Sequence, residues 1–521
     1  MRIAAVVHNS VRKDARVIKE AVSLARAGHT VTVHGISDDD RDETFRLPDS
    51  QVTVMLMARR MPEYGPKAPR GPSPLVNPWI RRPLYLAILT AVLAGMLVLA
   101  NPVLAGLSQV AGGTVQPLRL LAMQVALSAT AGLLALIFRF QIAFAVRSAR
   151  RLLQMRWLPA KLIRLAERPV IRLLPSYGFA QKLAARRQRR NFLPVLTPLM
   201  ASLSAIPTPD AVHLHDAIAL MLAADIRKKM GCSIVWDAHE IYQDMSGANA
   251  LRGLMNAAVI RAQAPFIDKF ITINDSIAEF YRKTYQRLPP ATVVMNATER
   301  TMPPRYDGRL HKAAGLPARQ KILLFQGGFG AERGLRMLVE ASQRLTADWT
   351  LVLMGWGKLE AELRALAATL HRNGPAPCTV FLPGVPHREL QDWSAGASLG
   401  AITYENTSLN HLYCTPNKLW EYPSAGVPIL ATDLEELGRT VRAHGIGYLL
   451  PRAFTAVDIA NAVNAATDEA LSKMRAACRL YMEDNNWAAY EPRLLKIYEV
   501  LGAGEADNTA RPSAARLQSA A

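Results

Sequence analysis

Short apolar runs alternate with helix-length segments in two serial sets along this chain, and no other feature limits its possible folds as tightly. The first set opens at once: an apolar run over residues 3–7, a polar loop over 8–16, a helix pattern over 17–27, Gly28 as a stop, and a second strand over 30–34. It resumes at Val195, with strands expected over 211–215, 233–237, 269–273 and 292–295. The second set has strands expected over 321–326, 350–354, 379–382, 399–403, 428–432 and 447–450. Two such sets imply an α/β chain of two doubly wound, Rossmann-like lobes, whose ligands sit in a cleft at the carboxyl ends of the strands.

The first set is interrupted after residue 80. Residues 62–83 are rich in Pro, Gly and Arg and read as a linker; residues 84–100 then form an uncharged run of 17, and residues 120–138 another of 19. Each is long enough to cross a hydrocarbon core of roughly 30 Å as a helix. Arg81 and Arg82 precede the first run and Arg139, Arg147, Arg150 and Arg151 follow the second, whereas Arg119 is the one charge between them. The positive-inside rule reads residues 81–145 as a membrane hairpin with both ends cytoplasmic; a re-entrant hairpin and buried core helices are the competing readings.

Residues 147–190 carry 13 Lys or Arg and one acid, Glu167, interleaved with leucines and Trp157. That mixture makes 146–196 an interfacial segment suited to anionic headgroups. A nucleic-acid surface competes, but would not normally abut two spanning-length apolar runs. The chain's formal net charge is +20, yet residues 81–196 alone hold 17 basic residues and one acid, leaving 45 against 41 elsewhere. The charge excess therefore belongs to the insert, and its expected partner is an anionic membrane and not nucleic acid.

With 50% hydrophobic and 20% charged residues, disorder throughout is excluded. Cys232, Cys378, Cys414 and Cys478 form no CxxC pair, and no HExxH or similar spacing occurs, so neither a disulfide framework nor a metal nor a cofactor is expected. The first residues read as a strand and not as a secretory leader, which puts the lobes on the cytoplasmic side of the membrane.

Residues 327–334, GGFGAERG, join a strand to a helix pattern. Glycines at such a turn let backbone N–H groups approach a phosphate at a helix N-terminus, which makes Gly327, Gly328 and Gly330 candidates. Arg333 would add a charge-assisted clamp. The stretch is neither a Walker A loop nor GxGxxG, and an ordinary tight turn is the competing reading. In TPNKLWEYPSAGVPILATD, residues 415–433, Lys418 and Glu421 lie three apart and share a helix face. An ammonium and a carboxylate facing a cleft suit a nucleotide, the first on phosphate and the second on both ribose hydroxyls; a surface ion pair is the alternative. VHLHD (His213, His215, Asp216) and WDAHE (Asp237, His239, Glu240) each end a strand and so face the cleft.

In order, these motifs, together with HNSVRKDARVIKEAVSLARAGHTVTV, FIDKFITIND, VVMNATE, VLMGWGKLEAEL and VFLPGVPHREL, resemble the retaining, GT-B-fold glycosyltransferases of family 4 over residues 1–45 and 205–500. The resemblance implies that the carboxyl-terminal lobe (304–485) binds a UDP- or GDP-sugar and that the amino-terminal lobe (1–80 and 197–303) receives the acceptor. A final helix (486–502) would cross back to the first lobe, before a small, polar, disordered tail (503–521). Residue by residue, Glu421 resembles the second glutamate of the E-x7-E motif, which holds the ribose, and Arg333 the basic residue of the phosphate loop. Lys418, beside Asn417, resembles a second phosphate contact, and His239 the histidine near the donor sugar, so His239, Arg333 and Lys418 carry the implied catalytic roles. Asn9, Arg12, Asp14, His215, Asp216, Asp237 and Glu240 fall on the acceptor side. The chain departs from the pattern at Tyr413, where the first glutamate would stand; Glu405, Asn410 and His411 are candidates to replace it.

The implied activity is transfer of a sugar, with retention, to a lipid-linked or cell-envelope glycan. A sugar-nucleotide epimerase and a non-catalytic membrane scaffold of the same fold are the rival readings, the second motivated by Tyr413.

Overall fold

A computed structural model describes residues 1–39, 41–59, 178–245, 250–299, 302–370 and 379–506. They belong to one compact unit, Met1–Pro62 with Leu173–Ala521. The expected hairpin (81–145), the basic segment up to residue 177 and the tail from residue 507 lie outside the described residues. Among the described residues no helix is long and apolar enough to cross a membrane.

The amino-terminal lobe carries β1 (Arg2–Val6), β2 (Thr30–Ile36), β3 (Glu43–Arg46), β4 (Thr53–Met57), β5 (Ala211–His215), β6 (Ser233–Ala238), β7 (Lys269–Thr272) and β8 (Ala291–Val293). Their order across the sheet is β3-β4-β2-β1-β5-β6-β7-β8. Neighbours are parallel except β3 and β4. Because β1 pairs directly with β5, the insert breaks the chain but not the sheet. β5 and β6 are buried at every residue, as a parallel strand covered on both faces must be.

Two features differ from the expectation. β3 and β4 form an edge hairpin: β3 is a largely exposed ETFR with no apolar run to announce it, and in β4 only Val54 and Leu56 turn inward. Gly178–Asn191, expected within the lipid-facing segment, is a helix packed on the helix Ala250–Gln263. Gln188 is buried there and donates to Asn256 Oδ1 at 2.9 Å, while Lys182, Arg186, Arg187 and Arg190 face solvent. The amino-terminal lobe therefore takes up the chain again by residue 178 and not at 197.

The carboxyl-terminal lobe carries β9 (Lys321–Gly328), β10 (Trp349–Trp356), β11 (Thr379–Leu382), β12 (Leu399–Ile402), β13 (Ile429–Thr432) and β14 (Gly447–Leu450). All are parallel, in the order β11-β10-β9-β12-β13-β14. In each sheet the strand order reverses beside the first strand of its set, at β1/β5 and at β9/β12. Crevices open at such switch points, outside the carboxyl ends of the strands. The motifs end those strands: the loop from His8 follows β1, VHLHD closes β5, and the glycines close β9.

The last helix, Trp487–Ala506, returns to the amino-terminal lobe. Trp487 Nε1 donates to Ser23 Oγ at 2.8 Å, and Tyr498 OH meets His213 Nδ1 at 2.9 Å.

Candidate active site

β9 holds its apolar run to Phe325 and ends in Gln326, Gly327 and Gly328. Gly355 of β10 stands opposite Gly327, and a Cβ on Gly355 would lie 1.9 Å from the Gly327 carbonyl oxygen. The close approach of the two strand ends thus requires glycine. Three successive residues of β9 then meet three charged groups. Gln326 Nε2 donates to Glu421 Oε2 at 2.9 Å; the Lys418 ammonium lies 3.4 Å from where a Gly327 Cβ would stand; Arg333 Nη1 donates to the Gly328 carbonyl at 2.9 Å. Arg333 also lies against Gly330, with Nε 3.5 Å from the position of a Cβ there. Carboxylate, ammonium and guanidinium therefore follow one another along the strand end, at about 3.3 Å per residue.

The sequence assigned phosphate contacts to backbone N–H groups at Gly327, Gly328 and Gly330, and of these three the Gly330 N–H is engaged within the loop. Phe329 N–H donates to the Trp356 carbonyl at 2.6 Å, Gly330 N–H to the Gly328 carbonyl at 3.0 Å, and Gly334 N–H to Glu405 Oε1 at 3.3 Å. Beside the loop's other amides, the side chains Arg333 and Lys418 are the positive groups that line the cleft at this end.

Glu421 is buried in the helix Lys418–Ser424. Burial pushes its carboxyl up, but His387, 3.7 Å from Oε1, with the Lys418 charge and the Gln326 bond, holds it below the usual carboxylate range. It remains an ionised acceptor, as pairing with two hydroxyls requires. The cleft in front of these groups has a volume of about 1120 Å³ and takes Arg12 and Lys13 from the amino-terminal lobe as its opposite lining. Arg12 pairs with Glu43 at 2.5 Å and stacks on Phe45, both on the unforeseen edge strand β3. Asn417, at the N-cap of the Glu421 helix, accepts from Asn296 Nδ2 across the lobes at 2.9 Å.

On the amino-terminal side, Asp237 anchors the site from below. Arg16 donates to it twice, Nε to Oδ2 at 2.7 Å and Nη2 to Oδ1 at 2.9 Å, and also meets Glu20 at 3.0 Å. His239 Nε2 lies 2.9 Å from Asp237 Oδ2, and its Nδ1 3.3 Å from Asp216 Oδ1, which also accepts from Tyr242 OH at 2.6 Å. Asp237 and His215 are 0% and 1% exposed, so of the acceptor-side candidates these two stand behind the cleft surface, with Asp237 in contact with both His215 and His239. Asn9 shapes its own loop, donating to Asp14 and accepting from Val11 N–H, each at 2.8 Å, while Asp14 caps the helix Ala15–Arg26.

Arg16 and Glu20 are buried ion-pair partners beneath His239 that the sequence reading missed. An i,i+4 pair reads as a routine helical salt bridge. The available signal was their position: they share the buried stripe of that helix with Val17, Ala21 and Leu24. Glu20, His213, His215 and Asp237 also bring ligand-type atoms within 4.8 Å of one another, the one such group among the described residues. It is a donor set that the spacing of the sequence did not announce, and the Arg16 guanidinium already contacts both of its carboxylates.

Burial alone would push the His239 imidazole down, but the carboxylates of Asp237 and Asp216 outweigh it and raise it to about 9. Because the value is raised, the cation and its pairing are fully present below the ordinary histidine value and are lost as pH rises through about 9. Activity is accordingly expected to fall on an alkaline limb near that pH. Asp216→Asn, which removes one of the two raising charges, should move the limb down by about one pH unit. A pH–rate profile of kcat/KM checks this, and a limb that does not move would detach His239 from the rate.

A second chamber of about 290 Å³ is lined by Asp14, His239 and Glu240 from one lobe and by Asn410, His411 and Cys414 from the other. It shares Arg333, Tyr404, Pro416 and Asn417 with the larger cleft. Of the candidates to replace the glutamate absent at Tyr413, Asn410 and His411 line this chamber, whereas Glu405 is turned to Gly334.

Two parallel sheets facing a cleft from their switch points define the GT-B glycosyltransferase fold. Residues 320–469 match the family described as Glycosyl transferases group 1. A D-inositol 3-phosphate glycosyltransferase from Xylanimonas cellulosilytica is 26% identical over 213 residues, 40% of this chain and 47% of that protein, so the chain matches about half the length of this curated relative. Sucrose-phosphate synthase from Thermosynechococcus elongatus superposes with a TM-score of 0.60 at 14% identity, over 97% of this chain and 100% of that one. The E. coli trehalose-6-phosphate structure bound with UDP-2-fluoro glucose gives 0.53 at 9% identity, over 96% and 99%. At such identities the structural likeness is one of fold.

Proposed function

We propose that this chain is a retaining glycosyltransferase of family 4 that moves a sugar from a UDP- or GDP-sugar to a lipid-linked or cell-envelope glycan acceptor. The observation that carries this reading is the succession of Glu421, Lys418 and Arg333 along the end of β9, facing a cleft with room for a nucleotide sugar. Ribose, then the two phosphates, match that succession in charge and spacing. The name of the curated relative supports glycosyl transfer, and the UDP-2-fluoro glucose held by the E. coli structure supports the donor class.

The reaction breaks the bond from the anomeric carbon to the diphosphate and forms one to an acceptor hydroxyl. Negative charge grows on the departing diphosphate, where Arg333 and Lys418 stabilise it; fixed charges in a water-poor site are worth several kcal/mol, about 2.7–4 for a single well-aimed donor. For retention, the acceptor enters on the face the diphosphate leaves, and the diphosphate oxygen takes the acceptor's proton. Arg333 and Lys418 hold that oxygen at the reacting face. Tyr413, in the position of a family glutamate, favours the scaffold as the second reading, for which nucleotide-sugar binding without turnover is the mark. A donor screen by mass spectrometry, on membranes holding polyprenyl-linked intermediates, is expected to detect a glycosylated lipid or glycan whose yield falls with Glu421→Ala at low donor concentration.

Anchoring at the cytoplasmic membrane through the insert belongs to the same proposal. Since Gly178–Asn191 packs into the lobe, the deletion that tests it ends before residue 178. Replacing residues 81–177 by a short flexible linker should leave a folded protein that no longer sediments with anionic vesicles. Unchanged sedimentation of the folded deletion would remove the anchor assignment.

A further inference from the structure

Given a nucleoside diphosphate sugar in the larger cleft, a reading on which this inference rests, we propose that the transferred sugar seats in the smaller chamber and that Glu240 reads its hydroxyls. Arg333 lines both spaces, Glu421 only the larger one, and His239 and Glu240 only the smaller. With ribose at Glu421 and phosphates at Lys418 and Arg333, the next unit of the donor lies beyond Arg333, which is where the chamber opens. Its volume of about 290 Å³ admits one monosaccharide.

The chamber's unused groups are those that recognise a polyol. Asp14, its other carboxylate, already accepts from Asn9 Nδ2 at 2.8 Å and from Val17 N–H at 3.2 Å. His239 has both ring nitrogens turned to Asp237 and Asp216. Asn410 Oδ1 accepts from Ile241 N–H at 2.8 Å, which leaves the N–H groups of its amide as donors. The Glu240 carboxylate has no hydrogen-bond donor among the described residues, although the residue's main chain is tied down, its carbonyl accepting from Tyr281 OH at 2.7 Å. Burial, and after it the charge of Asp216, push this carboxyl up. A carboxylate in that position gains most from ligand hydroxyls, and beside the Asn410 amide it can accept from one hydroxyl while its neighbour donates to another. Sequence position had put Glu240 with the acceptor; the chamber it lines puts it with the donor's sugar.

The test compares Glu240→Leu and Glu240→Gln with the wild type in three measurements: UDP and GDP binding by calorimetry, acceptor-independent hydrolysis of UDP-glucose, UDP-galactose and GDP-mannose, and transfer at varied acceptor concentration. Glu240→Leu should bind the nucleoside diphosphate within about twofold of wild type. Its kcat/KM for the preferred nucleotide sugar should fall about 10- to 100-fold, the fold-change of one hydrogen bond to a charged group, with loss of discrimination among the three sugars; Glu240→Gln, still able to accept, should lie between. Equal hydrolysis rates in wild type and Glu240→Leu, or a rise confined to acceptor KM, would overturn the inference while leaving the cleft assignment intact. Parallel loss of UDP or GDP binding in both variants would overturn it as a structural effect. Failure of the wild type to bind either nucleotide would instead bring down the underlying reading and the inference with it.

Discussion

Alanine at Arg333 is expected to lower sugar transfer by about 10²- to 10³-fold, the usual loss when one preorganised group facing a developing anion is removed. Its effect on stability should be small. Among the described residues Arg333 makes no ion pair; its hydrogen bond goes to the Gly328 carbonyl, and its guanidinium lies 5.9 Å from the centre of the Tyr404 ring. Truncation opens no apolar cavity and strands no buried charge, so unfolding should shift by about 0.5 kcal/mol or less. Glu421→Ala should divide the kinetics differently. With Glu421 on the unreacting ribose, as proposed, its loss should remove binding common to ground and transition state and raise donor KM more than it lowers kcat. It also leaves Gln326 Nε2 without its acceptor in a buried position, which costs about 1–3 kcal/mol of stability. Kinetics with the donor found in the screen, with a denaturation curve for each variant, separates these effects. Full activity in both variants would remove the assignment of the cleft.

The grouping of Arg333, Lys418 and Glu421 around the end of β9 was legible because its information is local. A strand ending in glycines, an arginine six residues on from the first of them, and Lys418 and Glu421 on one helical face need only short-range geometry. The parallel strands were legible for a related reason: β5, β11 and β14 have the bounds expected from short apolar runs between turn signals, whether buried throughout as in β5 or partly exposed at the sheet edges as in β11 and β14. Where partners are distant, the reading failed. Arg16 finds Asp237, His213 finds Tyr498 and Arg12 finds an edge strand, contacts that no window of adjacent residues contains. The helix Gly178–Asn191 reads as lipid-facing from sequence because basic residues dominate its composition. What binds it to the lobe includes a single buried amide, Gln188, that no hydrophobic periodicity marks.

Those distant contacts set up the largest stability effect expected of any single change. Asp237→Ala should destabilise the amino-terminal lobe by about 3–5 kcal/mol, the cost of breaking a buried ion pair from one side. Arg16 is 3% exposed and Asp237 0%, so neither charge can turn to water when its partner goes. Glu20 contacts Arg16 at 3.0 Å but is itself buried, and its carboxyl is pushed up by burial, which leaves it a weaker counter-charge than Asp237. Asp237 is the opposite case: burial would raise its carboxyl, yet the Arg16 and His239 charges hold it well below the usual aspartate value. With the folded value depressed, its contribution is present above the unfolded aspartate value of about 3.9 and is lost only as pH falls through the lower folded one, so Asp237→Ala should be costly throughout the neutral range. The same change strips His239 of its nearest carboxylate, so the alkaline limb of activity should move down along with stability. Asp237→Asn, which keeps the shape and loses the charge, should fall between. Urea unfolding followed by circular dichroism, run on each variant beside the wild type, measures this loss. A loss below about 1 kcal/mol in Asp237→Ala would mean that Glu20 alone balances Arg16, and that the support beneath His239 is not the ion pair but the packing around it.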